Sequence, residues 1–547
     1  MIDLKSHEPN DLSASQSFWS AFRHRTFAII WTATVVSNIG TWMYNAASGW
    51  LMTGLDASPM TVSLIQVASS LPMFLFALPA GALADIVDRR RFLIYAEISV
   101  TIIAAASAVL VRLDIITPFL LLLCTFLLSI GAALTAPAWQ SIVPQLVPRR
   151  DLPAAVAGNG VGINISRAIG PALAGVVIGV FGNAAPFWLN AASNFAVIGA
   201  LLWWRPPAKT EHALPAERLM SALIIGFRHA RYNRPLRAAL MRAAFFFFFA
   251  SAYWALLPLI ASSQIDSGPA VYGLLLGAIG LGAVVGAFAL PRLRRVLDAD
   301  RLVILGSSGT AATLVTLGLA RSPTPALAAC VLAGFSWILV IATLNVSAQI
   351  SLPDWVRGRG LAMFVTAFFG AMTLGSAVWG QMATMLDLST TNYVAAAGLL
   401  FGIFPSRRWK LSAGAGPDLT PSMHWPNPVI SIDAEADRGP VMISVEYSVD
   451  SQHRDAFLQA VHQLGEGRRR DGAYAWDIFE DVAEEGRFVE IFYVASWLEH
   501  LRQHRRVTNA DRILQEMVRQ FGADKEPKVT HLIAVSSSAS GSERIAS

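Results

Sequence analysis

Twelve long apolar runs separated by short polar stretches fill most of the first 404 residues: 27–52, 60–83, 92–111, 116–136, 154–181, 185–204, 238–260, 271–290, 302–320, 324–346, 361–386 and 391–404. A helix needs about 20 mostly apolar residues to cross a bilayer. All but the short last run reach that length closely enough. The pattern predicts an all-α membrane protein of twelve transmembrane helices in two six-helix halves.

The basic residues between the runs test this count. Arg89, Arg90, Arg91, Arg149, Arg150, the block from Arg205 to Arg242, Arg292, Arg294, Arg295, Arg301, Arg357 and Arg359 fall on one side, against Arg112 and Arg321 on the other. Lysine and arginine collect in cytoplasmic loops. Arg23 and Arg25 before the first run, with Arg407, Arg408 and Lys410 after the last, then place both termini in the cytoplasm of a multi-pass inner (plasma) membrane protein. An even number of crossings follows, which supports the twelfth run. Residues 1–25 lack the apolar core of a cleaved signal peptide.

After Lys410 the pattern changes. Residues 411–440 are rich in glycine and proline, which is linker composition. Ile443, Val445, Tyr447 and Val449 then alternate as in a strand, and Phe457, Val461 and Leu464 follow helical spacing. Tyr474–Val482 and Phe488–Ala495 read as a hairpin, Ser496/Glu499 and Thr508/Asp511 as helix starts, and Val529–Val535 as a closing strand. The order β-α-β-β-α-β is that of a C-terminal α+β ferredoxin-like domain. The divisions expected are 1–205, a linker at 206–235 holding a basic amphipathic helix, 236–408, a flexible linker at 409–440, and the domain 441–536.

Composition sharpens this reading. The chain is 14% charged and 54% hydrophobic, with a mean hydropathy of +0.49, whereas soluble chains are about 25% charged. Residues 1–410 hold 28 Lys+Arg against 16 Asp+Glu, and the remainder 14 against 21. The basic excess therefore reports membrane topology rather than a nucleic-acid partner. Cys124 and Cys330 both lie inside apolar runs and imply neither a disulfide framework nor a zinc site. Neither GxxxxGK[ST] nor a strand followed by GxGxxG is present, so no nucleotide cofactor is expected. His500 and His504 stand at i and i+4, a spacing for two metal ligands, but spacing shows no third, and no metal is expected.

Gly81 to Arg91 reads GALADIVDRRR between the second and third runs. It resembles the loop after the second helix of the major facilitator superfamily: Gly81, Leu83, Ala84, Asp85, Arg89 and Arg90 match, and Asp88 replaces the usual glycine. That resemblance implies a gating latch in which Asp85, with Arg89 and Arg90, meets the start of the eleventh helix near Gly360; the alternative is that these charges only enforce topology. Gly170, Pro171 and Gly175, in GINISRAIGPALAG, resemble the glycine-proline motif of exporters in that superfamily, with Ala174 in place of a second terminal glycine. Five positions recur at an offset of 209, from Gln140 and Pro144 to Gln349 and Pro353, as a parallel repeat of two halves requires.

Ionised side chains within a bilayer are expensive and face partners or wet cavities. Arg167 and Glu97 are therefore candidates for the substrate or ion pathway, either as a structural pair or with Arg167 meeting an anionic substrate. Asn38 and Asn164, with Asn45, Asn190, Asn194 and Asn345, are candidate cavity residues, and Trp42, Trp50, Trp254 and Trp379 candidate apolar contacts. Phe245–Phe249 covers every face of a helix, so part of it should meet lipid.

In the tail, Arg468–Trp476 (RRRDGAYAW) and Ser496–His504 (SWLEHLRQH) resemble the antibiotic biosynthesis monooxygenase type of domain found behind transporters of the transmembrane secretion effector group. The resemblances imply a secondary active transporter that exports small amphipathic molecules, siderophore- or drug-like, by alternating access with proton coupling. Its tail is either a binding and homodimerisation module or a cofactor-independent monooxygenase acting on the exported compound. Val445, Tyr447, Trp476, Ile478, Ile491 and Tyr493 offer an apolar sheet face for pairing.

Overall fold

The computed structural model describes residues 18–206, 219–411, 418–422, 424–425, 438–522 and 527–534; at 78, 81–86 and 219–225 it describes the backbone only. Contacts divide the chain into two compact units. One comprises Met1–Leu214, Ala243–Thr343 and Val365–Arg407, the other Pro215–Arg242, Leu344–Phe364 and Arg408–Ser547.

Each apolar run forms a helix. They are α1 (Arg25–Leu55), α2 (Pro59–Ile86), α3 (Arg89–Arg112), α4 (Pro118–Leu146), α5 (Leu152–Phe181) and α6 (Ala185–Trp203), then, after α7 (Leu219–Tyr232), α8 (Arg234–Leu259), α9 (Pro269–Leu293), α10 (Ala299–Leu319), α11 (Pro323–Ile350), α12 (Asp354–Met385) and α13 (Leu388–Phe401), which a one-turn α14 (Ile403–Ser406) extends. Helices prevail because hydrocarbon offers no partner for backbone N–H and C=O groups. Eleven of the twelve are long and apolar enough to cross a membrane. The exception is α1, long enough at 31 residues but diluted by Ser37, Asn38, Thr41 and Asn45. In this unit α1 packs on α5 and α6, α2 on α4, α3 on α6, α5 on α9, and α10 on α13.

Phe245–Phe249 divides by burial, with Phe245, Phe248 and Phe249 partly buried. Phe246 and Phe247 are fully buried, and none of the five is exposed. Phe246 and Phe247 pack against Trp337, and Phe247 against Phe368, while a Cβ at Gly398 would lie 2.2 Å from Phe249 and Gly402 leaves comparable room for the Phe245 ring. The α2–α3 turn is also clearer than its sequence. Asp88 caps α3, accepting from Arg91 N–H at 2.9 Å, a job glycine cannot do. The eleventh spanning helix starts at Asp354, so Gly360 lies inside it rather than at its N-terminus.

In the second unit the tail forms β1 (Val441–Ser448), α15 (Arg454–Arg470), β2 (Ala475–Glu480), β3 (Arg487–Val494), α16 (Trp497–Arg506), α17 (Asn509–Arg519) and β4 (Lys528–Ile533). The sheet order is β2-β3-β1-β4, antiparallel throughout, which is the ferredoxin-like arrangement. Ser496 and Thr508 cap α16 and α17 as their spacing predicts, the latter in a full capping box with Asp511.

Register corrects the proposed pairing face. Ile443, Val445 and Tyr447 stand opposite Phe492, Glu490 and Phe488, and Trp476 and Ile478 opposite Phe492 and Glu490. These residues share the face that packs with Phe457, Val461 and Leu464 of α15. Ile491 and Tyr493 point to the other face, with Met442, Phe479, Val489 and Leu532. Of these, Phe479 and Leu532 are 53% and 50% exposed.

The covered face encloses an ionic group. Glu490, fully buried, accepts from Arg468 Nε at 3.2 Å, Trp476 Nε1 at 2.8 Å and Tyr447 Oη at 2.8 Å. Burial and the adjoining carboxylate push the Tyr447 hydroxyl well above its ordinary range. Removing one partner of such a pair strands the other charge, at about 3–5 kcal/mol. Glu490→Ala should therefore unfold the tail at a markedly lower denaturant concentration, and Glu490→Gln, which keeps acceptor capacity, should cost less. Limited proteolysis of the full-length protein across a urea series measures both, and equal resistance to wild type would show that the group is not stabilising.

Candidate functional site

The first unit contains a cavity of about 280 Å³. Its walls are the side chains of Trp42, Trp254, Tyr272, Trp337, Phe368 and Phe369, and its polar groups include Asn45, Gln66, Ser69 and Arg167. Among the described residues no carboxylate lines it. Arg167 projects from α5, and its guanidinium carbon lies 5.4 Å from the centroid of the Trp42 ring on α1. Its Nε is buried with no hydrogen-bond partner among the described residues. A cation over an indole face gains about 0.5–2 kcal/mol, which offsets only part of its desolvation. The site thus holds one positive charge with aromatic surface around it.

The two candidate charges do not meet. Glu97 lies on α3, half-buried, with Trp139 of α4 as its hydrogen-bonding neighbour, and it is not a cavity residue. Of the asparagines, Asn45 lines the cavity; Asn38 and Asn164 do not. Asn164 donates back to Gly160 O within its own helix at 2.8 Å. Asn190 and Asn194 are buried on α6, where Asn194 accepts from Ser37 of α1 at 2.8 Å, while Asn345 accepts from Gln349 one turn on. Trp42 and Trp254 line the cavity, Trp50 stacks on Tyr272 beside it at 5.9 Å, and Trp379 donates to Phe248 O at 2.7 Å as a packing contact. Tyr272, Trp337, Phe368 and Phe369 were not singled out from sequence, because one aromatic among many on a spanning helix carries no mark of the side it faces.

The glycine-proline motif sits where α5 touches two neighbours. A Cβ at Gly170 would lie 2.6 Å from the Trp42 side chain and 2.9 Å from Ile39 O on α1; one at Gly175 would lie 2.6 Å from Pro269 O and 3.0 Å from Gly273 Cα on α9. Pro171 between them lines the cavity. In the loop motif, Arg90 donates to Leu201 O and Leu202 O, both at 2.7 Å, so it closes the C-terminal end of α6, where the helix dipole favours a cation. Gly81 and Asp85 are described in backbone only, so the Asp85 carboxylate lies outside the described residues, and Arg89 is placed at the first residue of α3.

In the second unit, α7 and the α11–α12 turn are joined to the tail. Arg228 donates to Gly472 O at 2.7 Å, Arg234 pairs with Glu466 at 2.7 Å, and Asn233 donates to Ser351 O at 2.7 Å. Trp355, at the start of α12, takes the His229 ring edge-on at 5.5 Å and the Arg506 guanidinium at 4.4 Å. A cavity of about 620 Å³ in this unit is lined by Arg231, Arg234, Arg237, Arg408, Lys410 and Glu466, among others. The tail also brings His531 of β4 to His500 and His504, a third imidazole that spacing along the chain did not reveal.

A membrane-spanning helical bundle around a central aromatic cavity, with a glycine-lined seam between helices of its two halves, defines a transporter of the major facilitator type. Solved structures with this fold include a POT family transporter in complex with 5-aminolevulinic acid (13% identical, covering 70% of this chain and 95% of that one, TM-score 0.57). Another is a bacterial homologue of the human lysosomal transporter Spinster, inward-facing and occupied (13% identical, 71% and 97% covered, TM-score 0.57). The chain belongs to the transmembrane secretion effector family, whose model matches residues 16–539. Curated relatives include the Enterobactin exporter EntS of Citrobacter koseri, 25% identical over 69% of this chain and 90% of that protein, and its namesake from Escherichia coli O1:K1, 24% identical over the same shares.

His229 makes the docked tail sensitive to acid. It is 1% exposed, and burial, reinforced by Arg470, pushes its pKa down to about 3, with Asp511 and Arg506 also facing it. An unfolded histidine titrates near about 6.5. The native state is therefore undisturbed above that pH and loses about 1.4 kcal/mol per pH unit below it, down to the folded value. Thermal melts of the full-length protein should fall more steeply between pH 6.5 and 4.5 for wild type than for His229→Asn. Parallel slopes would remove His229 as the cause.

Proposed function

We propose that this protein is an inner-membrane exporter of anionic, aromatic small molecules of the catecholate siderophore type, working by alternating access with proton coupling. The observation that carries the reading is Arg167: one guanidinium over Trp42, without a carboxylate partner among the described residues, in a cavity lined largely by rings. Catechol rings stack on indole and phenyl faces, and their acidic hydroxyls pair with a guanidinium and with the amides of Asn45 and Gln66. The curated relatives named as enterobactin exporters support the same substrate class. Glu97, set apart from the cavity, is the candidate proton carrier. The basic cavity at Arg231, Arg234 and Arg408 supports a cytoplasmic position for that end of the molecule, since anionic lipids and the positive-inside bias both favour cations there.

The tail reads as a cytoplasmic docking module that acts on the transporter through Trp355 and His229. A second copy would pair with it through the open sheet face of Ile491, Tyr493, Phe479 and Leu532. The alternative role, a monooxygenase acting on the exported compound, predicts oxygen uptake with an electron-rich phenol by the full-length protein.

Transport into everted vesicles tests the substrate and coupling assignments together. Arg167→Ala should lower uptake of a catecholate siderophore about 10- to 100-fold, the range for losing a charged hydrogen bond, and Arg167→Lys should recover part of it. Glu97→Gln should keep counterflow yet lose acceleration by an imposed pH gradient. Near-normal uptake by Arg167→Ala at wild-type protein level would end the substrate assignment, and an intact gradient response in Glu97→Gln would end the coupling one. Separately, Ile491→Glu should convert a dimer of the detergent-solubilised protein to monomer in sedimentation; a monomeric wild type would refute the pairing.

A further inference from the structure

His500 and His504 occupy successive turns of α16, and β4, pairing with β1, brings His531 alongside them. One ligand atom from each lies within 4.8 Å of the other two. His500 Nε2 and His504 Nε2 are 3.1 Å apart. A tetrahedral ion with metal–nitrogen bonds of about 2.0–2.1 Å sets its nitrogens about 3.3 Å apart, so this pair already stands near the required spacing. His504 and His531 are only half-buried, which leaves both free to rotate the remaining distance and leaves a path from solvent.

The hydrogen bonding of the cluster is incomplete. Three neutral imidazoles carry three donors and three acceptors, yet among the described residues one hydrogen bond joins two of the rings, His500 and His504, with the Gln503 side chain as a further neighbour of His500. His500 is 1% exposed, and its Nδ1, like that of His504, is buried without a partner there. Buried polar groups left unpaired cost free energy, and a single ion engages all three rings at once. The nearby charge does not forbid a cation: Arg468, which faces His500 and His504, is neutralised by Glu490 at 3.2 Å. Trp497 flanks His500 and His531, and Trp425 flanks His504, giving the cluster an apolar wall.

We propose that His500, His504 and His531 form a binding site for a divalent transition-metal ion, with water at the remaining coordination positions. A donor set of imidazole nitrogens without carboxylates selects zinc, cobalt, nickel or copper over magnesium and calcium. The site belongs to the tail and is separate from the transport cavity, so it stands whether or not the substrate assignment does.

The test uses full-length protein purified in detergent without a polyhistidine tag, stripped by chelator and titrated with Co²⁺ and, separately, Zn²⁺. Wild type should bind one ion per chain, give a visible cobalt d–d band and melt at a higher temperature with Zn²⁺ than without. His504→Gln and His531→Gln, both half-buried positions where the fold is least at risk, should each weaken affinity at least about tenfold, and the double variant should lose the band and the thermal shift. His462→Gln, exposed on α15, should match wild type. Wild type without stoichiometric binding, or a monodisperse double variant that still binds as wild type does, would overturn the proposal.

Discussion

A single guanidinium placed among aromatic rings is the interaction on which the membrane unit depends. Arg167 would be costly in hydrocarbon, and the structure meets that cost locally with the Trp42 face and a cavity of polar and aromatic groups rather than with a carboxylate. Much else follows from accommodating it. The helix that faces it, α1, is the one of the twelve that falls short in apolarity, and Gly170, three residues on, lets the α1 and α5 backbones approach closely.

The tail solves the opposite problem by the opposite means. Its small sheet buries a charge and pairs it fully, Glu490 taking hydrogen bonds from three side chains. The pair is sealed by rings, with Arg468 over Trp425 and Phe492 at 4.8 Å each. One unit therefore contains an ion pair that fixes a core, and the other a guanidinium over an indole ring whose Nε has no hydrogen-bond partner among the described residues.

The helices were legible because bilayer thickness imposes length and apolarity on each of them, and the strand order of the tail was legible because caps and alternation are local. What sequence did not carry is orientation about an axis. Trp337 and Tyr272 face the cavity while Phe246 and Phe247 face a packed interior, yet all sit in uniformly apolar helices with no polar face to betray rotation. The sheet shows the same gap: Trp476 and Ile491 both alternate correctly, but only the hairpin register shows that they lie on opposite faces. His531 was invisible as a partner of His500 because strand and helix meet only through tertiary packing. The role of Asp88 was legible in principle, since an aspartate just before a helix is a cap whatever residue its relatives use there.

At Gly175 and Gly273 the two halves of the bundle touch backbone to backbone, each glycine leaving no room for a Cβ on the other. Interlocked side chains resist sliding, because each knob must climb out of its hole and change rotamer to pass. At this pair of glycines there are no such teeth. Here the two backbones meet with no side chain between them, and the smallest side chain added at either glycine would have to push the helices apart.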